Sequence, residues 1–360
     1  MKGDGSAMNR QAIRLHVLAA ISVLAAFAVH FMHASALVSF LFSAWAIIVL
    51  AKLIGQGTEA LAIRFGSAIG ALLGATFGNS VELILSIIAL KDGLDQVVKA
   101  SIIGSFLANL LLTLGACMIV GGMRKPVQHF NRARAGRNSV MLFVAVTGLT
   151  IASIDSYRHS VVHHFGGLSM GIAIVFLFVY VLGFVFSMFT HRIFLAPIEE
   201  MEESGAGYYN SPGIAALILV LATVLVAMIS ANLVDTVTPI AALAHLSPSF
   251  IGLIFFPIIG MAPEFFSATM LAVRDQMDGS IEITVGSSLQ MALFVAPILV
   301  LLGTAFGRPL TLVFPTTDVV SVFLSTILVT LVSLDGESHW FEGVMMVAAY
   351  LIFGLLFFFQ

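Results

Sequence analysis

What constrains this chain most is a succession of long, unbroken apolar stretches joined by short loops. A helix of about 20 apolar residues crosses the roughly 30 Å hydrocarbon core of a bilayer. Eleven stretches qualify, at about 13–32, 35–54, 68–90, 97–121, 138–155, 166–190, 212–233, 249–272, 281–304, 316–334 and 341–359. They do not alternate in ten-residue segments as the strands of a membrane β-barrel would. Hydrophobic residues make up 59% of the chain and charged residues 10%, against roughly 25% charged in a soluble protein. So little polar surface cannot cover a soluble globule. The sequence predicts an all-α integral membrane protein of eleven transmembrane helices, with no room for a separate soluble domain.

Lysine and arginine set the orientation. With the N-terminus in the cytoplasm, only Lys91, Lys99, Arg158 and Arg308 fall outside, against all the rest of the 16 basic residues. The N-terminus is then cytoplasmic and the C-terminus external. Ala34-Ser35-Ala36 has the small-residue pattern of a signal-peptidase site, but the run before it is long enough to span and stay. The short termini point to a bacterial cytoplasmic membrane. A net charge of -3 excludes the basic balance of a nucleic-acid binder. Cys117, the one cysteine, reads as a small packing residue in an apolar helix.

The chain also repeats itself. An offset of 182 residues places Glu82 on Glu264, Gly78 on Gly260, Gly104 on Gly286 and Ser105 on Ser287. Each half reads Gly-x-x-x-Glu, then a short polar break, then Gly-Ser early in the next span. An odd number of spans separates the matched positions, so the halves are inverted in the membrane. Secondary transporters recurrently use this design, with ion sites near the midplane. The expected segments are an N-terminal tail and first helix (1–34), a first five-helix repeat (35–192), a cytoplasmic connector (193–211) and a second five-helix repeat (212–360).

Glu82 and Glu264 lie deep in the third and eighth spans, where a charged side chain costs about 2.5–3.5 kcal/mol even on lenient scales. No deep lysine or arginine stands ready to pair with them, so they read as ligands. Two carboxylates suit a divalent cation, and hard cations such as Ca²⁺ take six to eight oxygens. Candidate donors are Asn79, one helical turn before Glu82, and Ser105, Asn109, Ser287, Ser288 and Gln290 on the following spans. Such a pair titrates as a unit, and protons compete with the metal for it. Pro263 removes an N–H from the eighth span and frees the carbonyl of Ile259. With Pro257 a turn and a half earlier, that span is expected to break beside its glutamate. Gly78, Gly260, Gly104 and Gly286 are expected at helix breaks and close packings.

Some polar clusters read more plainly. Glu199, Glu200, Glu202 and Glu203 form an acidic, solvated segment of the connector able to collect or sense cations. His159, His163 and His164 read as loop histidines without metal, and Asp318 as a helix cap or interface residue.

The residues also resemble a known family. Gly74-Ala75-Thr76-Phe77-Gly78-Asn79-Ser80-Val81-Glu82-Leu83 is similar to the first signature of the calcium/proton antiporters of the cation/proton exchanger (CAX) family. The similarity continues through Ala89-Leu90-Lys91-Asp92-Gly93, Gly104-Ser105, Asn109-Leu110-Leu111, Gly121-Gly122, Val285 to Gln290, Phe294 to Pro297 and Asp335 to Gly343. The resemblance implies eleven spans, as two inverted five-helix halves after an extra leading helix, and an acidic segment between the halves. It also implies that Glu82 and Glu264 bind cation and counter-transported protons in alternation. The chain departs from the family's second signature, Gly-Asn-Ala-x-Glu-His, which here reads Gly260-Met261-Ala262-Pro263-Glu264-Phe265. A thioether replaces an amide oxygen, and sulfur is a poor ligand for a hard cation.

The resulting expectation is export of Ca²⁺ against an inward proton flow. Its alternative is a monovalent cation (Na⁺ or K⁺)/proton, or Na⁺-coupled calcium, antiporter on the same fold. Ca²⁺ enters as cargo, no cofactor is implied, and the expected partners are Ca²⁺, H⁺ and the lipid bilayer. No nucleophile–base pair or metalloprotease motif lies within a span, which argues against an intramembrane enzyme. The repeat with its paired glutamates favours alternating access over a channel.

Overall fold

A computed structural model of the chain describes residues 4–65, 73–74, 76–158, 162–186, 209 and 211–360. The described chain is almost wholly helical, and it packs as two compact units, Met1–Ile88 with His191–Pro248 and Ala89–Thr190 with Ser249–Gln360.

In the first unit, α1 (Asp4–Phe31) turns through His33, in the left-handed region at φ 51°, into α2 (Ala36–Phe65). Helix α3 (Ser80–Lys91) begins in this unit and ends in the second. The second span runs further than its apolar stretch, because the helix continues through Gln56, Thr58 and Glu59 to Phe65. Gly57 explains how: a Cβ there would lie 3.2 Å from Leu219 Cβ and 3.3 Å from the Ala215 carbonyl. Small residues let membrane helices approach where apolar side chains gain nothing over lipid. The partner is α7 (Pro212–Asp235), which Pro212 and the Ser211 cap start, before α8 (Val237–Ala244).

The second unit holds α4 (Asp95–Arg124), α5 (Arg132–Arg158), α6 (Val162–Val185), α9 (Pro248–Gly260), α10 (Ala262–Val273), α11 (Met277–Ala305), α12 (Thr316–Val332) and α13 (Trp340–Phe358). Pro257 cannot donate to the Leu253 carbonyl, and this oxygen sits where a Cβ on Gly104 would be. Glycine is thus required at the α4–α9 crossing. Gly115 and Gly343 likewise bring α4 and α13 together, since a Cβ on either would meet the other's carbonyl oxygen. Beyond α4, β1 (Gln128–His129) pairs antiparallel with β2 (Glu337–Ser338), Gln128 opposite Ser338. Gly336 makes the turn before β2 at φ 80°, and Glu342 caps α13 by accepting from the His339 N–H at 2.9 Å. These roles account for much of the Asp335 to Gly343 motif.

Among the described residues eight helices are long and apolar enough to cross a membrane, or nine if the bent pair α9–α10 counts as one span; α12 is a shorter apolar helix of 17 residues. The third expected span, 68–90, lies partly outside the described residues.

The 182-residue offset recurs in the backbone. It carries Ser80–Lys91 onto Ala262–Val273 at both ends, and the start of α4 at Asp95 onto the start of α11 at Met277. Both long helices widen into a short π-helical segment, Ala108–Thr113 in α4 and Met291–Val295 in α11, and the offset carries the end of the first onto the end of the second.

Candidate functional site

The site residues divide between the units, and each group is described within its own. In the first unit the chain turns at Gly78-Asn79, then restarts as α3 at Ser80. Ser80 Oγ donates back to the Phe77 carbonyl at 2.8 Å. Asn79 is buried, and its carbonyl accepts the Leu83 N–H at 3.0 Å. Glu82 therefore stands in the first turn of a new helix. Its side chain is buried at 4% exposure, and both carboxylate oxygens lack a hydrogen-bond partner among the described residues. Buried carboxylate oxygens without partners are rare, because each costs its full desolvation. A cation or a proton would satisfy them.

In the second unit, α9 ends at Gly260 and the chain bends by 56° through Met261 into α10. Pro263 occupies the first turn of α10, where a missing N–H costs nothing. The expected break in the eighth span is present. Glu264, half-buried, also stands in the first turn of its helix. Both glutamates thus sit where helix N–H groups point outward and the macrodipole favours negative charge.

The departure residue has a partner. Met261 is buried, and Thr113 Oγ1 donates to its Sδ at 3.7 Å from the end of the α4 π segment. Asn109, in the same segment, donates through Nδ2 to Ser287 Oγ of α11 at 3.2 Å. That leaves Asn109 Oδ1 buried without a partner among the described residues, as is Ser105 Oγ one turn earlier. Two neutral oxygen acceptors on one helix face match the donor chemistry of a hard cation. Gln290 bonds the Tyr180 hydroxyl, and Tyr180 packs on Phe294 with ring centroids 5.2 Å apart. Ser288 turns to its own helix, donating to the Thr284 carbonyl at 3.0 Å.

The expected close packing holds at Gly104 but not at Gly286, where a Cβ would meet nothing within 4 Å among the described residues. Asp318 stands in the first turn of α12, buried and accepting from Thr317 Oγ1 at 3.3 Å, as a cap or interface residue would. Cys117 is buried against Thr269, with Sγ and Oγ1 4.0 Å apart. Glu199, Glu200, Glu202, Glu203 and His159 lie outside the described residues, as do the side chains of His163 and His164. Among the described residues no group of three or more His, Cys, Asp and Glu side chains is gathered for a metal.

One contact and one matched position escaped the sequence reading. Thr113 had a signal, being one turn beyond Asn109 on the same helix. Met291 had another: the 182-residue offset carries Asn109 onto it, so methionine again stands in the second half where the first has an amide.

Comparison with known proteins follows the same lines. The model of the sodium/calcium exchanger protein family matches residues 35–189 and 214–359. The chain is 40% identical to the Ca²⁺/H⁺ antiporter ChaA of Bacillus subtilis, over 87% of this chain and 89% of that protein. It is 38% identical to a Ca²⁺/H⁺ antiporter of Aphanothece halophytica, over 92% of each. The solved structure of native YfkE superposes with a TM-score of 0.84 at 36% identity, covering 96% of this chain and 99% of that one.

Proposed function

We propose, for a chain that belongs to the sodium/calcium exchanger protein family, the exchange of cytoplasmic Ca²⁺ for external H⁺ by alternating access. The family is one of transporters, and the chain is a membrane transporter rather than an enzyme. Its relatives are Ca²⁺/H⁺ antiporters, and Ca²⁺ and H⁺ are accordingly its cargo. Glu82 and Glu264 bind cation and protons competitively, assisted by Asn79, Ser105, Asn109, Ser287 and Gln290. The observation that carries this reading is the recurrence of one device at a 182-residue offset. In each half a helix break is followed by a glutamate in the first turn of a 12-residue helix.

The physics of coupling follows from charge. Two ionised carboxylates without a cation leave a net charge of −2 in a low-dielectric environment, which is costly to carry across a membrane. Ca²⁺ neutralises the pair, and so does protonation. A site that crosses only when neutralised exchanges one ion for the other and does not leak. The helix N-termini at both glutamates set positive partial charge beside the carboxylates.

The further parts of the reading are eleven helices in two inverted five-helix repeats after an extra helix, residues 35–192 and 212–360. They include an acidic cytoplasmic connector at 193–211 that senses cations, a cytoplasmic N-terminus, an external C-terminus and a bacterial cytoplasmic membrane. The recurring helix bounds and the lysine–arginine bias support them.

The test is Ca²⁺ uptake into inverted membrane vesicles under an imposed proton gradient. Uptake that collapses with a protonophore is expected. Uptake that ignores the proton gradient and follows a Na⁺ or K⁺ gradient would overturn the proton-coupled reading.

A further inference from the structure

Helix α10 carries Glu264 at its start, and its far end is held by a side chain from a distant part of the sequence. Gln128, in β1, is buried at 1% exposure. Its Nε2 donates to the Ala272 carbonyl at 2.8 Å and to Asp275 Oδ1 at 3.2 Å. Ala272 lies in the last turn of α10, and its carbonyl already accepts the Asp275 N–H at 3.1 Å, so the Gln128 amide adds a long-range bond to an oxygen that the exit turn also uses. Asp275 occupies the turn just beyond, at φ 63°, and pairs with Lys125. One amide group therefore ties both the end of the helix and its exit turn. Gln128 is itself fixed by the β1–β2 pairing opposite Ser338. The room for its side chain comes from Gly121, where a Cβ would collide with Gln128 Oε1.

We propose that Gln128 is a positioning residue of the exchange, setting the axial position of Glu264 through the C-terminal end of the helix that bears it. The proposal rests on Glu264 being a ligand of the transported ions. Gln128 is no ligand itself: the eight residues from Glu264 to Ala272 separate the two ends of the helix by about 12 Å at 1.5 Å per residue. Its effect is rigid-body. A helix pinned at its last carbonyls presents its first turn at a fixed height, and one freed there can slide or rotate.

Calcium and proton respond differently to such freedom. Ca²⁺ needs several oxygens at once within 2.3–2.6 Å, whereas a proton needs only one carboxylate oxygen. Loosening α10 should thus weaken Ca²⁺ binding while leaving the proton affinity of the carboxylate in place. A loss of fold alone would lower the amount of active protein without moving KM.

The experiment uses the full chain in proteoliposomes and compares wild type with Gln128→Leu, Gln128→Glu, Gly121→Ala and Glu264→Gln. Gln128→Glu keeps the volume and removes the donor. Gly121→Ala reaches the same amide from the other side and leaves Gln128 in the sequence. Each of these three should raise the Ca²⁺ KM about five-fold or more, the equivalent of roughly one net hydrogen bond, and by the same factor at every pH. The double variant Gly121→Ala/Gln128→Leu should be no worse than either single one, since both act through one group. An unchanged Ca²⁺ KM in all three, with Glu264→Gln inactive, overturns the positioning role alone. Wild-type exchange by Glu264→Gln overturns the reading beneath it. If Gln128→Leu does not fold, Gly121→Ala and Gln128→Glu still decide.

Discussion

Helices α3 and α10 are two 12-residue helices of matching bounds, each carrying a glutamate in its first turn, yet they are built from different chemistry. At the head of α3 stands Asn79, an amide with an oxygen to offer; at the head of α10 stands Met261, whose sulfur already accepts a hydroxyl from Thr113. At the tail of α3, the cation Lys91 lies 5.0 Å over the Phe306 ring, and the Arg308 guanidinium covers Gly93. At the tail of α10, a neutral amide and a surface ion pair do the holding. The second half starts its helix with proline and the first with a serine that bonds back to Phe77. The backbone is thus the shared device, and the side chains around it are free to differ. The first half is rich in oxygen, with Asn79 and Asn109, where the second has Met261 and Met291. At these two matched positions a hard cation meets amide oxygens in the first half and sulfur in the second.

The largest test of this division is the glutamates themselves. Glu82→Gln and Glu264→Gln should each reduce Ca²⁺/H⁺ exchange in proteoliposomes to background, with the purified proteins folded. Glutamine keeps the volume and removes both the charge and the proton site. Near-wild-type flux in either variant would show that the two helices are not functional equivalents.

The glycines break the symmetry in stability rather than transport. Gly104 lies against the Leu253 carbonyl and Gly286 against nothing within 4 Å among the described residues. Gly104→Ala should destabilise by roughly 1–3 kcal/mol, the usual cost of overpacking, and Gly286→Ala should be close to neutral. Thermal unfolding in detergent measures both. Equal losses would mean that the two crossings are packed alike.

The methionine in the second signature gives a gentler test. Met261→Asn restores an amide oxygen and keeps an acceptor for Thr113. It should tighten Ca²⁺ by about 1 kcal/mol if one oxygen contact is gained, read by calorimetry. Unchanged affinity would mean that a backbone oxygen at the break already supplies the ligand. Ca²⁺ binding that is negligible in wild type and variant alike, beside clear Na⁺ or K⁺ binding, would favour a monovalent cargo.

How much of this was legible beforehand depends on the range of the interaction. The break before Glu264 was readable because proline acts on its own chain four residues away. The two glutamates were readable because a carboxylate in an apolar stretch is conspicuous at any range. The length of α2 was missed because hydropathy falls at Gln56 and Glu59, while the helix continues on the packing of Gly57 against α7. The π segments leave no mark in composition, and the contacts that Asn109 and Thr113 make, to Ser287 and Met261, reach 178 and 148 positions along the chain. Gln128 carries no signal in the sequence, for its partner lies 144 positions on.

The smallest expected effect lies at the tail of α10, in the turn that Gln128 and Lys125 share. Asp275 lies outside the membrane-spanning segments, and its carboxyl is held below the ordinary aspartate range. The hydrogen bond from Lys125 is the main cause, partial desolvation opposes it, and the bond from Gln128 adds to it. A folded-state value below the unfolded one means that the ionised form is favoured by folding. Its contribution is therefore complete above the unfolded value of about 3.9 and is lost as pH falls through the folded one. The pair is exposed at 52% and 42% of its side-chain surface, so solvent screens it, and such pairs contribute about 0.2–1 kcal/mol. Asp275→Asn should thus lower the melting temperature slightly and by a constant amount between pH 5 and 8, with the difference closing below about pH 4. The same difference should shrink in high salt. The tail of α3 has no such carboxylate–lysine pair holding its exit turn among the described residues. A melting-temperature offset in Asp275→Asn that persists unchanged to pH 3 would mean that the turn is held by the Gln128 amide and not by the charge on Asp275.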